Sequence, residues 1–257
     1  MTDRAKVILL KNKTTPIDPY QNIFEENGFT PVFVPLIEHK HLPNECLTLF
    51  QDDSYLRQLR HIVISSQRTV ECLNESIIPR LTAQQRDDLH NKVVYTVGPA
   101  TASFLERCGF KNVRGGIDAG NGDILADLII SELKEEKGLD LLHLPDVLLL
   151  VGETRRDIIP KKLTSAGISS RELVTYQTKT LNDNFRRFEQ CYDPNSWVVF
   201  FSPQGAGEIV EYLQKSPVNI ACIGPTTEKS LFKQGLNPTV VSQKPEPYSL
   251  LESLKSV

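Results

Sequence analysis

The sequence contains no C-x-x-C pair, and its five cysteines, Cys46, Cys72, Cys108, Cys191 and Cys222, are an odd number scattered along the chain. That spacing excludes a disulfide framework and a zinc knuckle, and predicts reduced residues packed in the core as small hydrophobes. Nor do His39, His41, His61, His90 and His143 offer the H-x-x-x-H spacing that sets two ligands on one helix face. His39 and His41 read as a solvated pair in a linker. No apolar run approaches the roughly 20 residues a membrane helix needs, and the start, MTDRAKVILLKNK, holds only a strand-length run between basic residues. A cytoplasmic protein without a secretory signal is expected. The formal net charge of −3, from 29 Lys and Arg against 32 Asp and Glu, leaves no global basic field to attract nucleic acid. A Walker-type phosphate loop, a G-x-S-x-G elbow and a G-x-G-x-x-G after a strand are all missing, which removes the familiar nucleotide and hydrolase chemistries.

What is present is a regular alternation of short apolar runs with amphipathic stretches, the pattern of βα units around mainly parallel sheets. Strands are predicted at 6–10, 31–35, 61–65, 93–97, 112–114, 147–151, 172–176, 197–201, 219–223 and 238–241. With 257 residues, of which 40% are hydrophobic, the chain is long enough for two α/β domains.

An internal repeat supports that number. Residues 93–114, VVYTVGPATASFLERCGFKNVR, and 219–240, NIACIGPTTEKSLFKQGLNPTV, place strand, Gly-Pro, hydroxyl residue, helix and terminating Gly in register. A strand ending in Ser precedes each copy, HIVISSQRTVECL (61–73) and VVFFSPQGAGEIV (198–210). A third pair joins residues 7–36 to 148–177, each a strand, a helix ended by Gly and a second strand. The polar, turn-rich stretches 36–46 and 177–184 are where the chain could cross between the two bodies.

Ligands of parallel α/β sheets bind beyond the carboxyl ends of the strands, where helix N-termini converge. Ser65, Ser66, Thr101, Ser202, Thr226 and Thr227 all fall there, each able either to cap a helix or to face a ligand. Two such rims opposed would make a cleft for anions, and Arg68, Arg155, Arg156, Lys161 and Lys162 could add charged contacts to carboxylates. Tyr176 ends a strand entering the second crossing segment. It is either a packing residue or, at a cleft floor, a phenol able to donate to a departing hydroxyl. No paired carboxylates and no His-centred triad compete with it.

The ordered set KVILLK, VYTVGPATASFLERCGF, GNGDILADLI, GETRRDIIPKKL, ELVTYQT, FFSPQG and IACIGPTTEKSLFKQG resembles the uroporphyrinogen-III synthases, in their eukaryotic form, over nearly the whole chain. The resemblance implies an α/β protein of two flavodoxin-like domains with parallel sheets, joined by a two-stranded linker. One domain would take residues 1–37 and 178–257 and the other 40–175, with linkers at about 36–46 and 175–184. It implies conversion of hydroxymethylbilane to uroporphyrinogen III in heme biosynthesis, with no metal and no organic cofactor. Tyr176 matches the family's tyrosine proposed to assist loss of the hydroxymethyl oxygen. Thr101, Thr227, Ser66 and Ser202 match its cleft hydroxyls, and Ser65, Arg68, Gln204 and Thr226 stand beside them as substrate-binding residues. The family's common Ser-Pro-Arg reads Ser-Gln-Arg at 66–68. A monomer with no nucleic-acid or membrane partner is expected, in transient contact with the enzyme preceding it in the pathway. Two other readings of the residues stand beside this one. In the first, a two-domain sensor holds a carboxylate-rich ligand unchanged; in the second, a nucleotide-sugar transferase would require an acidic diphosphate or metal motif that is not seen.

Overall fold

Runs of Val, Ile and Leu that are apolar at every position, such as VLLL at 147–150, form strands buried on both faces, as a parallel sheet under two helix layers requires. The computed structural model describes residues 5–14, 16–135, 145–216 and 218–257; His143 lies outside them. Its strands are β1 (Ala5–Leu10), β2 (Phe29–Phe33), β3 (Ile37–His41), β4 (His61–Ile64), β5 (Val93–Val97), β6 (Asn112–Gly116), β7 (Val147–Gly152), β8 (Ser170–Thr180), β9 (Trp197–Phe200), β10 (Asn219–Cys222) and β11 (Val240–Val241). Between them lie α1 (Pro19–Glu26), α2 (Asn44–Phe50), α3 (Asp53–Gln58), α4 (Gln67–Cys72), α5 (Ala83–His90), α6 (Pro99–Arg107), α7 (Gly122–Glu135), α8 (Ile158–Ser165), α9 (Asn184–Glu189), α10 (Gly207–Leu213), α11 (Pro225–Lys233) and α12 (Pro247–Lys255).

The chain divides into two units, Met1–Glu38 with Lys179–Val257, and His39–Thr178. The first holds an all-parallel sheet of order β11-β10-β9-β1-β2. The second is built on β8-β7-β4-β5-β6, also parallel, with β3 added beyond β8. Under the sequence repeat, β1 corresponds to β7, β2 to β8, β9 to β4, β10 to β5 and β11 to β6. That substitution turns one strand order into the other: in chain order the first unit reads 2-1-3-4-5, the flavodoxin order, and the second 3-2-1-4-5, the same arrangement with the chain entering at the equivalent of β9.

Side chains alternate across each sheet with period two, which assigns every strand residue to one of two cores. In the second unit Ile62, Ile64, Val94, Leu148 and Leu150 pack towards α2 to α6, while Val63, Tyr95, Leu149 and Val151 pack towards α7 and α8. In the first unit Ile8, Val198, Phe200 and Ile220 face α9 to α11, and Val7, Leu9, Val199 and Ala221 face α1 and α12.

The stretch 36–46, turn-rich by composition, forms strand β3, one of the two strands of the linker that the resemblance implies. The strand's sequence IEHKH alternates, and the bonds from Leu42 N–H to Thr175 O (2.7 Å) and from Leu181 N–H to Leu36 O (3.0 Å) pair it antiparallel with β8. Strand β8 likewise runs on through Gln177–Thr180, which polarity alone marks as loop. The histidines of β3 are also not a solvated pair: both are half-buried, with His39 Nδ1 on Thr178 Oγ1 at 2.9 Å and His41 Nδ1 on Ser76 Oγ at 2.8 Å.

Three cysteines, Cys46, Cys72 and Cys222, are buried, whereas Cys108 and Cys191 are half-buried. Burial pushes the thiols of Cys46 and Cys72 up to about 12 and about 11, and raises the other three as well. At pH 8 a thiol of pKa 12 is about one part in ten thousand thiolate, and the thiolate is the reactive form. The native protein is therefore expected to react slowly with an aromatic disulfide reagent, and to release all five thiols only in denaturant. Rapid native labelling of Cys46 or Cys72, read by peptide mapping, would contradict this burial.

Candidate active site

In the second unit the chain proceeds from β4 outward to β6 on one side and from β7 to β8 on the other, so the strand succession reverses between β4 and β7. Such a switch point opens a crevice at the carboxyl edge of the sheet, because the two connections leave in opposite directions. A cavity of about 630 Å³ lies there, lined by Ser65 and Ser66 after β4, Gly152 and residues 154–156 at and beyond β7, residues 120–123 before and at the start of α7, and Tyr176 of β8. Its lining combines apolar side chains, among them Val63, Leu149, Val151 and Ile159, with polar ones.

Tyr176 is aimed by an irregularity in the β7–β8 ladder. Val151 pairs with Val174 and Gly152 with Tyr176, so Thr175 is an extra residue on β8. A bulge of this kind re-aims the side chain that follows it. Buried hydroxyls hold it: Thr175 Oγ1 donates to Val151 O at 3.1 Å, leaving its lone pair for the Thr69 hydroxyl at 3.0 Å. Gly152 then allows the phenol to lie against bare backbone, since a Cβ there would fall 2.5 Å from Tyr176 Cζ and 2.6 Å from its oxygen. The phenol oxygen stands 3.1 Å from Ser66 Oγ, and the His39 ring packs edge-on to the tyrosine with centroids 6.4 Å apart. Burial and the Arg68 charge together hold the His39 pKa below its ordinary value.

Ser66 does cap α4, accepting from Arg68 N–H at 3.2 Å, and Ser65 is exposed at the cavity wall. Arg68, by contrast, lies outside the cavity lining. Its guanidinium spans both oxygens of Glu71 at 2.9 and 2.7 Å, the i,i+3 pairing of one helix turn. Arg155 is bonded to Glu172, Lys161 to Asp157 and Lys162 to Asp123 and Asp127, which leaves Arg156 as the cavity-lining cation with no ion pair to a described residue.

The two Gly-Pro turns are less alike than their sequences. Gly98 is left-handed, with φ of +76° and its N–H shared between Gly116 O and Ala119 O, so an L-residue there is strained. Gly224 has φ of 169°, which any residue adopts. Pro99, Ala100, Pro225 and Thr226 are exposed, but Thr101 and Thr227 turn inward and are buried. In the first unit Thr227 Oγ1 donates to Phe201 O at 3.3 Å, so that hydroxyl ties helix α11 to the end of β9. Ser202 Oγ accepts from Gln204 N–H at 3.2 Å and so shapes the turn after β9, with the Gln204 side chain exposed. Among the described residues no group of three His, Cys, Asp or Glu converges to hold a metal ion, and no helix is long and apolar enough to cross a membrane.

Sequence reasoning missed Gly152 and His39. The first reads as the end of an apolar strand and the second as linker. Only the alternation in IEHKH carried a signal for His39.

Residues 18–252 match the profile of the family described as uroporphyrinogen-III synthase HemD. A Saccharomyces cerevisiae protein named uroporphyrinogen-III synthase is 49% identical over 98% of this chain and 96% of its own. One of the same name from Schizosaccharomyces pombe is 35% identical over 96% and 95%. Among solved structures, a uroporphyrinogen-III synthetase from Helicobacter pylori matches 98% of this chain and 99% of its own with a TM-score of 0.64 at 20% identity, a likeness of fold. A mutant uroporphyrinogen III synthase from Thermus thermophilus follows, with a TM-score of 0.55 at 17% identity over 97% and 98%.

Proposed function

The chain belongs to the uroporphyrinogen-III synthase family, a group of cyclising lyases of tetrapyrrole biosynthesis, and from that premise we propose how its own residues close the ring. The observation that carries the reading is the Tyr176 phenol, which lines the switch-point cavity between Ser66 and the bare backbone of Gly152.

The substrate, hydroxymethylbilane, is a linear tetrapyrrole with an acetate and a propionate on every ring. Its terminal pyrrole nitrogen pushes electron density towards the hydroxymethyl carbon, the C–O bond breaks, and the oxygen leaves as water with the proton of Tyr176. The electrophilic azafulvene so formed is attacked by the substituted α-carbon of the far ring, giving a spiro intermediate. This fragments and recloses at the free α-carbon with that ring reversed, and the proton lost there restores the phenol.

Because the substrate supplies most of the driving force, the protein's task is to hold the two ends where the spiro route outruns direct closure. Arg156 and the Ser65 hydroxyl serve as carboxylate contacts at the cavity, and the turns at 66–69, 98–103, 202–206 and 224–228 bend the chain at the carboxyl edges of the sheets. Thr101, Thr226, Thr227, Ser202 and Gln204 shape those turns. Arg68 acts through its pairing with Glu71 on the same helix. The enzyme works as a cytoplasmic monomer and receives the bilane by transient contact with the enzyme that makes it.

The test is incubation with freshly prepared hydroxymethylbilane and chromatographic separation of uroporphyrin isomers I and III. Excess type III is expected; type I alone, with tight binding of the bilane, would instead support a carboxylate sensor. Tyr176→Phe is expected to lower kcat about tenfold without abolishing it, less than the usual general-acid effect because the leaving group is already activated. Undiminished turnover would remove Tyr176 from the acid role.

A further inference from the structure

We infer that Ser66 is a positioning residue for the chemical step, whose hydroxyl donates to the Tyr176 oxygen and so turns the phenol proton towards the cavity. The inference rests on the acid role proposed for Tyr176 and goes beyond it, because Ser66 is otherwise read as a ligand contact.

The argument is a count of protons and lone pairs. Ser66 Oγ has one proton and two lone pairs. The Arg68 N–H occupies one lone pair at 3.2 Å, as an ordinary helix cap. What remains, one proton and one lone pair, meets the Tyr176 oxygen at 3.1 Å. If the phenol donated across that gap, its proton would be spent on the protein and none would face a ligand. With Ser66 as donor, the phenol proton is left for the cavity that Tyr176 and Ser66 both line.

The direction also matters as the reaction proceeds. When the phenol O–H bond breaks and its proton passes to the departing oxygen, negative charge grows on the tyrosine oxygen. A hydrogen bond from Ser66 strengthens with that charge, which is the condition for lowering a barrier rather than merely binding. The geometry leaves little alternative support: Gly152 presents backbone, and the His39 ring is edge-on with its Nδ1 already engaged by Thr178. The serine is itself immobilised, since the cap bond to Arg68 N–H fixes its rotamer at the start of α4.

The experiment is a double-mutant cycle read in single-turnover rate, KM and isomer ratio. Ser66→Ala is expected to lower kcat about tenfold, the size of a lost hydrogen bond to a group acquiring charge, with KM within twofold. In a Tyr176→Phe background the same change is expected to add less than twofold, because the oxygen it serves is gone. Ser66→Thr keeps both the cap and the donor and is expected to retain most of the rate. Ser66→Asp caps a helix as well as serine does but cannot donate, so it is expected to keep the melting temperature and lose the rate. A normal rate in Ser66→Asp, or independent multiplication of the Ser66→Ala and Tyr176→Phe losses, would leave Ser66 a cap and nothing more. A Tyr176→Phe enzyme with unchanged turnover would overturn the acid role and this inference with it, whereas an impaired Tyr176→Phe beside an unimpaired Ser66→Ala would overturn the inference alone.

Discussion

Replacing Gly152 with alanine is expected to slow turnover about a hundredfold while the protein still folds. The new Cβ would stand 2.5 Å from Tyr176 Cζ, 2.6 Å from its oxygen and 3.0 Å from Cε1, separations that no packed side chain sustains. Something must move, and the backbone is the less able to. Gly152 pairs with Tyr176 in the β7–β8 ladder, and Glu153 N–H donates to Tyr176 O at 2.9 Å one residue on. The ring is therefore displaced from Ser66 and into the space that ligand requires. A shift of about 1 Å in a reacting group costs on the order of a hundredfold. The loss should exceed that of Tyr176→Phe, which removes a proton donor but leaves the ring where it was. Overpacking of this kind costs about 1–3 kcal/mol, so stability by denaturant titration should fall only modestly. A Gly152→Ala enzyme within twofold of the parent rate would show that the tyrosine's position against that backbone is irrelevant to turnover.

The contrast between Gly152 and the strand that precedes it marks where reading a sequence stops. VLLL is legible as a strand because the apolar run is short and sits in a regular alternation with amphipathic stretches; the bulge that follows leaves no trace in composition. The equivalence of the two sheets was within reach through the repeat, since pairing 7–36 with 148–177 and 61–114 with 198–240 matches them strand for strand, but the repeat does not order the strands. Strand β3 is not marked by composition because IEHKH is polar, although its alternation is that of a strand exposed on one side; only the resemblance, with its two-stranded linker, puts a strand there. The two threonines taken for cleft groups carried a neglected signal. Thr101 precedes Leu105 by four residues and Thr227 precedes Leu231 by four, and both leucines are buried, so the helical period already turned the threonines inward. Arg68 had its partner three residues away in Glu71, a spacing as plain in the sequence as in the structure. For Arg68 and Thr227 the chain itself offers a near partner, Glu71 for the one and Phe201 O for the other.

Asp18→Ala is expected to produce the largest loss of stability, about 3–5 kcal/mol, because it breaks a buried ion pair by removing one side. The Asp18 side chain is fully buried, and it accepts from Lys11 Nζ at 2.5 Å, Thr14 N–H at 2.8 Å and Tyr20 N–H at 2.9 Å. It thereby caps α1 and ties the loop after β1 to that helix. The Lys11 ammonium, itself largely covered, sits 4.9 Å from the Tyr20 ring centroid and 5.5 Å from those of Phe33 and Phe201. Those ring faces attract a cation but cannot replace a carboxylate, so the truncation leaves a charge with no full counterpart. The pH dependence has a definite sign. Burial by itself would raise the Asp18 pKa, but Lys11 and the two backbone amides outweigh it and hold the carboxyl below its ordinary value of 3.8. A carboxyl depressed in the folded state contributes its stability in full above the unfolded pKa of about 3.9 and loses it as pH falls through the lower folded value. Asp18→Asn keeps a capping oxygen without the charge, so its stability, measured by denaturant midpoint from pH 7 to pH 3, should start lower and decline less steeply below pH 4 than that of the parent. Equal slopes for the two proteins in that window would mean that the Lys11 ammonium is satisfied by the rings and solvent, and that Asp18 is only a helix cap.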